Sequence, residues 1–324
     1  MKPEDAPGST DYKAIAARMG YGPLRERLKK QARLWHRETS QGVGLLRIER
    51  LFRTRRIVEA FLHISRLKDA GLRNMLDIRL VTNEVALPGL PAAFDGFRIL
   101  QLSDLHCDIH PRLIGAVIEK LGGLAYDLAA LTGDYRNNIA DPPEASLVLM
   151  ERLIAALHEP RVAVLGNHDF IEKVAYLEAK GLPVLLNESR AITRGNSRLH
   201  VAGIDDPHFF RTDDIVRARR DLPPDEPSIL LSHSPEPYRE AERLGFALML
   251  CGHTHGGQFC LPGGHAIAGN ARVPRRFLAG AWKFRRLSGY TSRGTGSSGV
   301  AARFHCPPEI TLHVLRAGRP PTRR

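Results

Sequence analysis

Along residues 78–318 the apolar positions fall into short runs, each closed by a cluster of polar residues or glycine. FRILQLSDLH, DLAALTGD, RVAVLGNHD, RLHVAGIDD, PSILLSHS and ALMLCGHTH are six such units. Short β-branched and aliphatic runs bounded by turn residues predict strands buried on both faces. Between them, RLIGAVIEKLG, EASLVLMERLIAALH and SPEPYREAERLG have the character of helices. Strand–helix alternation predicts an α/β layered domain. No repeat of fixed period is visible.

Upstream the pattern changes. Residues 1–44 are polar and basic, punctuated by Gly20, Gly22, Pro23, Gly42 and Gly44. They read as a partly disordered segment with short helical patches. In residues 45–77, Ile48, Leu51, Phe52, Val58, Phe61, Leu62 and Leu72 recur at helical spacing among Arg47, Arg50, Arg53, Arg55, Arg56, Arg66, Lys68 and Arg73. This predicts a cationic amphipathic helical extension. Over residues 45–76 the apolar face suits docking at an anionic bilayer surface; it suits packing on the following domain equally. Residues 319–324 form a basic tail.

Composition narrows the class. The chain has 324 residues, 43% hydrophobic and 25% charged, so apolar material for a real core is present. No run approaches the ~18 consecutive apolar residues that span a bilayer. The N-terminus lacks the apolar stretch of a secretory leader. The four cysteines (Cys107, Cys251, Cys260, Cys306) are too few for a disulfide scaffold and lack CxxC spacing. A cytoplasmic location is the expectation, with peripheral attachment to the inner face of the membrane as an option. The net charge of +12 is uneven: residues 1–90 hold 18 basic and 10 acidic side chains, against 29 and 25 in the remainder. Such a surplus attracts an anionic partner, whether membrane surface, nucleic acid or phosphorylated substrate, and is also common on plain solvated faces. No recognised nucleic-acid module stands in residues 1–90, which disfavours nucleic acid.

The polar clusters carry the candidate chemistry. In α/β sheets functional groups collect beyond the carboxyl ends of strands. Here those positions hold Asp104 and His106, then Asp134, then Asn167, His168 and Asp169, then His233, then His253 and His255. With His168 set aside, two carboxylates, four histidines and one amide remain. That is too many for one zinc and suits two ions sharing a carboxylate. Mixed N/O ligands without thiolate favour Mn, Fe, Zn or Co. Asp104/His106 and His253/His255 are i, i+2 pairs, which an extended strand end would direct to one side. Gly133, Gly166 and Gly252 precede ligands where the backbone must pass close to the site. Each element alone has a plain explanation as a cap, a turn or a satisfied histidine; the ordered set of five clusters does not.

That order resembles the calcineurin-like metallophosphoesterases: DxH, GD, GNHD, a lone His after a strand, and GHxH, over roughly residues 78–318. GHTHGGQ, ending at Gln258, together with FDGFRILQLSDLH, is similar to the bacterial YkuE-like branch. Members of that branch are often membrane-associated, and some relatives hydrolyse UDP-2,3-diacylglucosamine, a lipid-linked pyrophosphate. The resemblance implies an α/β/β/α sandwich of two mixed sheets flanked by helices. It implies Asp104, His106 and His255 on a first metal, Asn167, His233 and His253 on a second, and Asp134 bridging. His168 would face the substrate, with Asp169 holding its ring. Two ions would generate hydroxide for in-line attack on a phosphodiester or pyrophosphate, with His168 as general acid. The substrate implied is a phosphorylated small molecule or a lipid-linked one. The alternatives are a soluble nucleotide phosphodiesterase or nuclease, and a non-catalytic binding protein on the same fold.

Two flanking segments add candidates. The Gly/Ser-rich loop 291–306 places Arg293 or Arg303 where they would contact substrate phosphate, unless it is a surface hairpin. Residues 208–220, HFFRTDDIVRARR, read as a loop entering a helix that would lend apolar residues to a groove.

Overall fold

The computed structural model describes residues 10–39, 48–139 and 141–318. Two sheets form its centre. The first orders its strands β1 (Arg79–Pro88), β13 (Glu309–Gly318), β2 (Arg98–Leu102), β3 (Leu128–Thr132) and β4 (Arg161–Val164). The second orders β11 (Gly280–Phe284), β12 (Leu287–Thr291), β8 (Leu248–Cys251), β7 (Ser228–Leu231), β6 (Ser197–Gly203) and β5 (Glu188–Arg194). Both are mixed: β2–β3–β4 and β12–β8–β7–β6 run parallel, while β13/β2, β11/β12 and β5/β6 are antiparallel. The six apolar runs of the sequence are β2, β3, β4, β6, β7 and β8.

Strand alternation builds the layers, because successive side chains leave opposite faces. Ile99, Leu128, Ala130, Val162 and Val164 meet Val201, Ile229, Leu231, Leu248 and Leu250 in the core between the sheets. The intervening Leu100, Leu102, Ala129, Leu131 and Ala163 face outward to α5 (Leu113–Leu121), α6 (Glu144–Ala156) and α7 (Lys173–Ala179). Across the molecule, Leu230, Met249 and Cys251 face α8 (Ile215–Arg219) and α9 (Tyr238–Arg243). The result is a helix–sheet–sheet–helix sandwich.

More order stands upstream than the punctuated composition of residues 1–44 predicts. Residues 12–39 form α1 (Tyr12–Met19) and α2 (Tyr21–Thr39). The Asp11 carboxylate caps α1 by accepting from the Lys13 and Ala14 amides. Ile15, Ala16, Met19 and Leu24 then enter the core outside the first sheet. Their partners lie far along the chain, so local composition does not show them. Residues 1–9, 40–47 and 319–324, including the expected basic tail, lie outside the described residues.

The extension forms α3 (Ile48–Ile64) and α4 (Lys68–Leu76). The side chains of Ile48, Leu51 and Phe52 lie outside the description. Val58 and Leu62 pack on Phe259, Val300, Ala302 and Phe304. A second row at i, i+4, i+7 faces solvent: Ile57, Phe61 and Ile64 are 64%, 61% and 81% exposed. Among the described residues no helix is long and apolar enough to cross a membrane.

Candidate metal centre

Five strand ends, three from one sheet and two from the other, converge on one buried patch. β2 delivers Asp104 and His106, β3 Asp134, β4 Asn167, β7 His233, and β8 His253 and His255. The extended geometry expected of the two i, i+2 pairs is not what places them. Asp104 (φ 50°), His106 (φ 39°), Asp134 (φ 57°), His253 (φ 70°) and His255 (φ 51°) are all left-handed. Such backbone costs about 1–3 kcal/mol per non-glycine residue and needs outside support. The loops supply it to each other: the Asp104 amide donates to Gly133 O (3.0 Å), His106 N to Asp134 O (2.9 Å) and Gly252 N to His233 O (2.8 Å).

The side chains form two groups, Asp104–His106–His255 and Asp134–His233–His253, with one ligand atom from each residue within 4.8 Å of the others in its group. Hydrogen bonds on the far side of each ring set which nitrogen points inward. His106 Nδ1–H donates to Arg136 O (2.8 Å), His233 Nδ1–H to Thr132 O (2.8 Å) and His253 Nε2–H to Asn270 O (3.2 Å). The opposite nitrogens therefore present lone pairs inward. His233 Nε2 lies 3.3 Å from His253 Nδ1, 3.0 Å from Asn167 Oδ1 and 3.3 Å from Asp134 Oδ2. In the other group, His255 Nε2 lies 3.2 Å from His106 Nε2 and 3.4 Å from Asp104 Oδ1. Around His233 and His253 acceptors face acceptors, and in a dry site these repel unless a cation sits among them. In the other group His255 Nδ1 accepts from the Arg303 guanidinium, 3.1 Å away, so a neutral His255 carries its proton on the Nε2 that faces His106. The residues present fit two divalent ions.

The electrostatics agree. Burial lowers His106 to about 4, with Asp134 opposing. Burial also holds His253 and His255 well below the ordinary imidazole value, helped by His233 and His208 for the first and by His106 and Arg303 for the second. Neutral rings are what a metal requires. Burial lifts the Asp104 carboxyl to about 6, with His233 opposing. Against burial, His233, His168 and His106 hold Asp134 well below the carboxylate range. Against burial too, Asp134 carries His233 up to about 10. With no cation, a proton on His233 is the charge that Asp134 attracts.

Two glycines make room for the carboxylates. A Cβ on Gly252 would lie 1.8 Å from Ser103 Oγ and 2.2 Å from Asp104 Oδ2; one on Gly166 would lie 2.2 Å from Asp134 Oδ1. Gly252→Ala is expected to displace Asp104 and weaken metal binding by about 10–100-fold, a shift of the size that outer-shell changes produce. Calorimetric titration of the metal-free variant, with circular dichroism showing an intact fold, checks it.

Three residues sit differently from expectation. Asp169 does not hold the His168 ring. Its carboxylate accepts the amides of Asp134 (2.8 Å), Tyr135 (3.1 Å) and Gly166 (3.1 Å) and the Lys173 ammonium (2.9 Å). A carboxylate at this buried turn is drawn to unpaired N–H groups. The ring is held instead by Asn137 O, which accepts His168 Nδ1–H at 2.7 Å. Arg303 does not reach solvent. It is fully buried, donating to Gly296 O and Arg293 O (2.7 Å) and lying 3.1 Å from His255 Nδ1. It braces the loop behind a ligand instead of meeting a substrate. Arg293 turns to Glu309, 3.0 Å away.

The sequence did not single out Arg136 and Asn137, whose backbone carbonyls hold the His106 and His168 rings while the buried Arg136 guanidinium donates to His168 O (2.9 Å). Nor did it single out His208: its ring lies 4.0 Å from that of His253, and it hydrogen-bonds Glu236 at 3.0 Å. The HFF segment thus places an imidazole, not an apolar wall, against the centre.

A cavity of about 220 Å³ opens beside these groups, lined by Asp134, Asn167, His168, His253, Gln258 and Asn270 among others. Residues 97–257, which contain every candidate ligand, match the calcineurin-like phosphoesterases. The phosphodiesterase YaeI of Escherichia coli (strain K12) is 30% identical over 233 residues, 68% of this chain and 82% of that protein. The chain belongs to the calcineurin-like phosphoesterase family. Its relatives include the uncharacterised metallophosphoesterase YkuE of Bacillus subtilis (strain 168), 29% identical over 70% of this chain and 82% of its own. The UDP-2,3-diacylglucosamine pyrophosphatase LpxG of Chlamydia trachomatis serovar D is 26% identical over 70% of this chain and 85% of its own. As a calcineurin-like phosphoesterase with phosphodiesterase- and pyrophosphatase-named relatives, the chain is a hydrolase.

Proposed function

We propose that the chain is a dinuclear-metal-dependent hydrolase of a phosphodiester or pyrophosphate bond, acting on a lipid-linked substrate at a membrane surface. The position of Asp134 supports the dinuclear reading most directly. Its Oδ2 lies 3.6 Å from His106 Nε2 in one group and 3.3 Å from His233 Nε2 in the other, so one carboxylate oxygen serves both. Asp104, His106 and His255 would hold one cation, and Asn167, His233 and His253 the second. A bound pair of divalent ions supplies Lewis acidity, lowering the pKa of water and offsetting charge on phosphoryl oxygens.

The remaining work falls to side chains of the chain. The His168 amide donates to Asp134 Oδ1 at 2.8 Å, which fixes the loop to the shared carboxylate. His168 lines the cavity with its Nδ1–H held by Asn137 O, so the ring taking a second proton from solvent on Nε2 would donate that proton to the leaving oxygen and return to the neutral form. Two observations support the lipid-linked substrate: the named activity of the Chlamydia relative, and the exposed Ile57–Phe61–Ile64 row beside Arg56, Arg66 and Lys68. A face of apolar anchors with flanking cations suits an anionic interface.

Chelator-treated protein is expected to lose turnover of bis-p-nitrophenyl phosphate and to regain it with Mn²⁺. In a substrate panel, a diacylated UDP-sugar presented in anionic vesicles should exceed cyclic nucleotides, oligonucleotides and simple monoesters in kcat/KM. Full activity after chelation sinks the metal reading. A preference for oligonucleotides or cyclic nucleotides replaces the lipid reading with that of a nucleotide phosphodiesterase or nuclease.

A further inference from the structure

Every candidate ligand lies within residues 97–257, yet α2, far upstream, grips two loops of that segment. Arg27 on α2 is fully buried. One guanidinium nitrogen donates to the Asp205 carboxylate and another to the backbone carbonyl of Asp169. Its plane lies over the Phe210 ring, 4.0 Å from the centroid. Gln31, one turn along, accepts from Arg27 Nε (3.1 Å) and from the Ile171 amide (2.9 Å), and donates to Glu172 (3.0 Å).

Both gripped loops lead to the same half of the centre. The loop at 169–172 directly follows Asn167 and His168. The loop at 205–210 carries His208, whose ring lies against His253. Asn167 and His253 sit with His233, whereas neither loop supplies Asp104, His106 or His255.

We propose that Arg27 is a positioning residue for the Asn167–His233–His253 half of the centre, and that residues 12–35 belong to the catalytic unit. The inference rests on the dinuclear reading above. A guanidinium is a rigid planar fork that can hold a carboxylate and a carbonyl at fixed angles, which an ammonium cannot reproduce. Replacing a buried ion pair by neutral groups is commonly tolerated by the fold, so what the pair contributes here is geometry.

The test uses the full chain in two forms, Arg27→Lys and the charge-free double variant Arg27→Met/Asp205→Asn, so that one misfolding variant leaves the other. Calorimetric titration of metal-free protein with Mn²⁺ is expected to show one equivalent weakened by about 10–100-fold and the other within about threefold of the parent. In metal-free protein, amides of 169–172 and 205–210 should exchange faster; in Mn²⁺-loaded protein, kcat on bis-p-nitrophenyl phosphate should fall about tenfold with KM little changed. Parental affinity for both equivalents in a folded variant overturns the assignment, as does equal weakening of both in step with melting temperature. A parent that binds two equivalents alongside unaffected variants sinks this inference alone. A parent that binds fewer than two overturns the dinuclear reading and this one together.

Discussion

Asp134→Asn is expected to fold, to bind fewer than two metal equivalents, and to lose hydrolysis of a diester by on the order of 10³-fold. The reason lies in the two oxygens of this side chain. Oδ1 accepts the His168 amide, and the asparagine carbonyl can keep that bond. Oδ2 sits between His106 Nε2 and His233 Nε2, and there the variant places an NH₂ group. An amide nitrogen has no lone pair to offer a cation, so both groups lose the oxygen they share. Folding survives because the substitution removes a buried negative charge together with the proton it draws onto His233. The melting temperature of metal-free protein should move by no more than about 5 °C. Elemental analysis, melting of the metal-free form and diesterase kinetics read the three effects separately. Two equivalents and parental turnover in this variant would remove Asp134 from the bridging role.

The candidate ligands were legible because each follows an apolar run that can only be a buried strand, which leaves its polar successor at a sheet end. The layers were legible for the same reason. Local geometry was not. Nothing in SDLH or GHTH announces left-handed residues, since that backbone is imposed by loop-to-loop bonds such as Asp104 N to Gly133 O. Asp169 was misplaced because adjacency in GNHD suggests a pair with His168, while the turn aims the carboxylate at three amides. Arg303 reads as a loop cation, and only the fold shows its donors spent on carbonyls behind His255. Arg27 and Gln31 reach Asp205 and Ile171, partners 178 and 140 positions away. A contact at that separation leaves no trace in composition or period, which is why α1 and α2 read as marginal order.

His168→Ala should separate binding from proton delivery. The substitution keeps the backbone amide that donates to Asp134 Oδ1, and the lost ring hydrogen-bonds Asn137 O and packs edge-on to the His106 ring, 4.8 Å between centroids. Both metal equivalents should therefore bind with affinities within about threefold of the parent, well short of the loss that disturbed outer shells cause. Turnover should depend on the leaving group. An alkoxide or sugar phosphate needs a proton as the bond to phosphorus breaks, and its release should slow by about 10²–10³-fold, within the range for loss of a general acid. p-Nitrophenolate leaves without one, so its release should slow by less than about tenfold. Plotting log kcat against leaving-group pKa should then give a steeper negative slope in the variant than in the parent. Equal losses for both leaving groups would mean that His168 acts on the phosphoryl oxygens instead of on the departing one, and unchanged rates would remove it from the reaction.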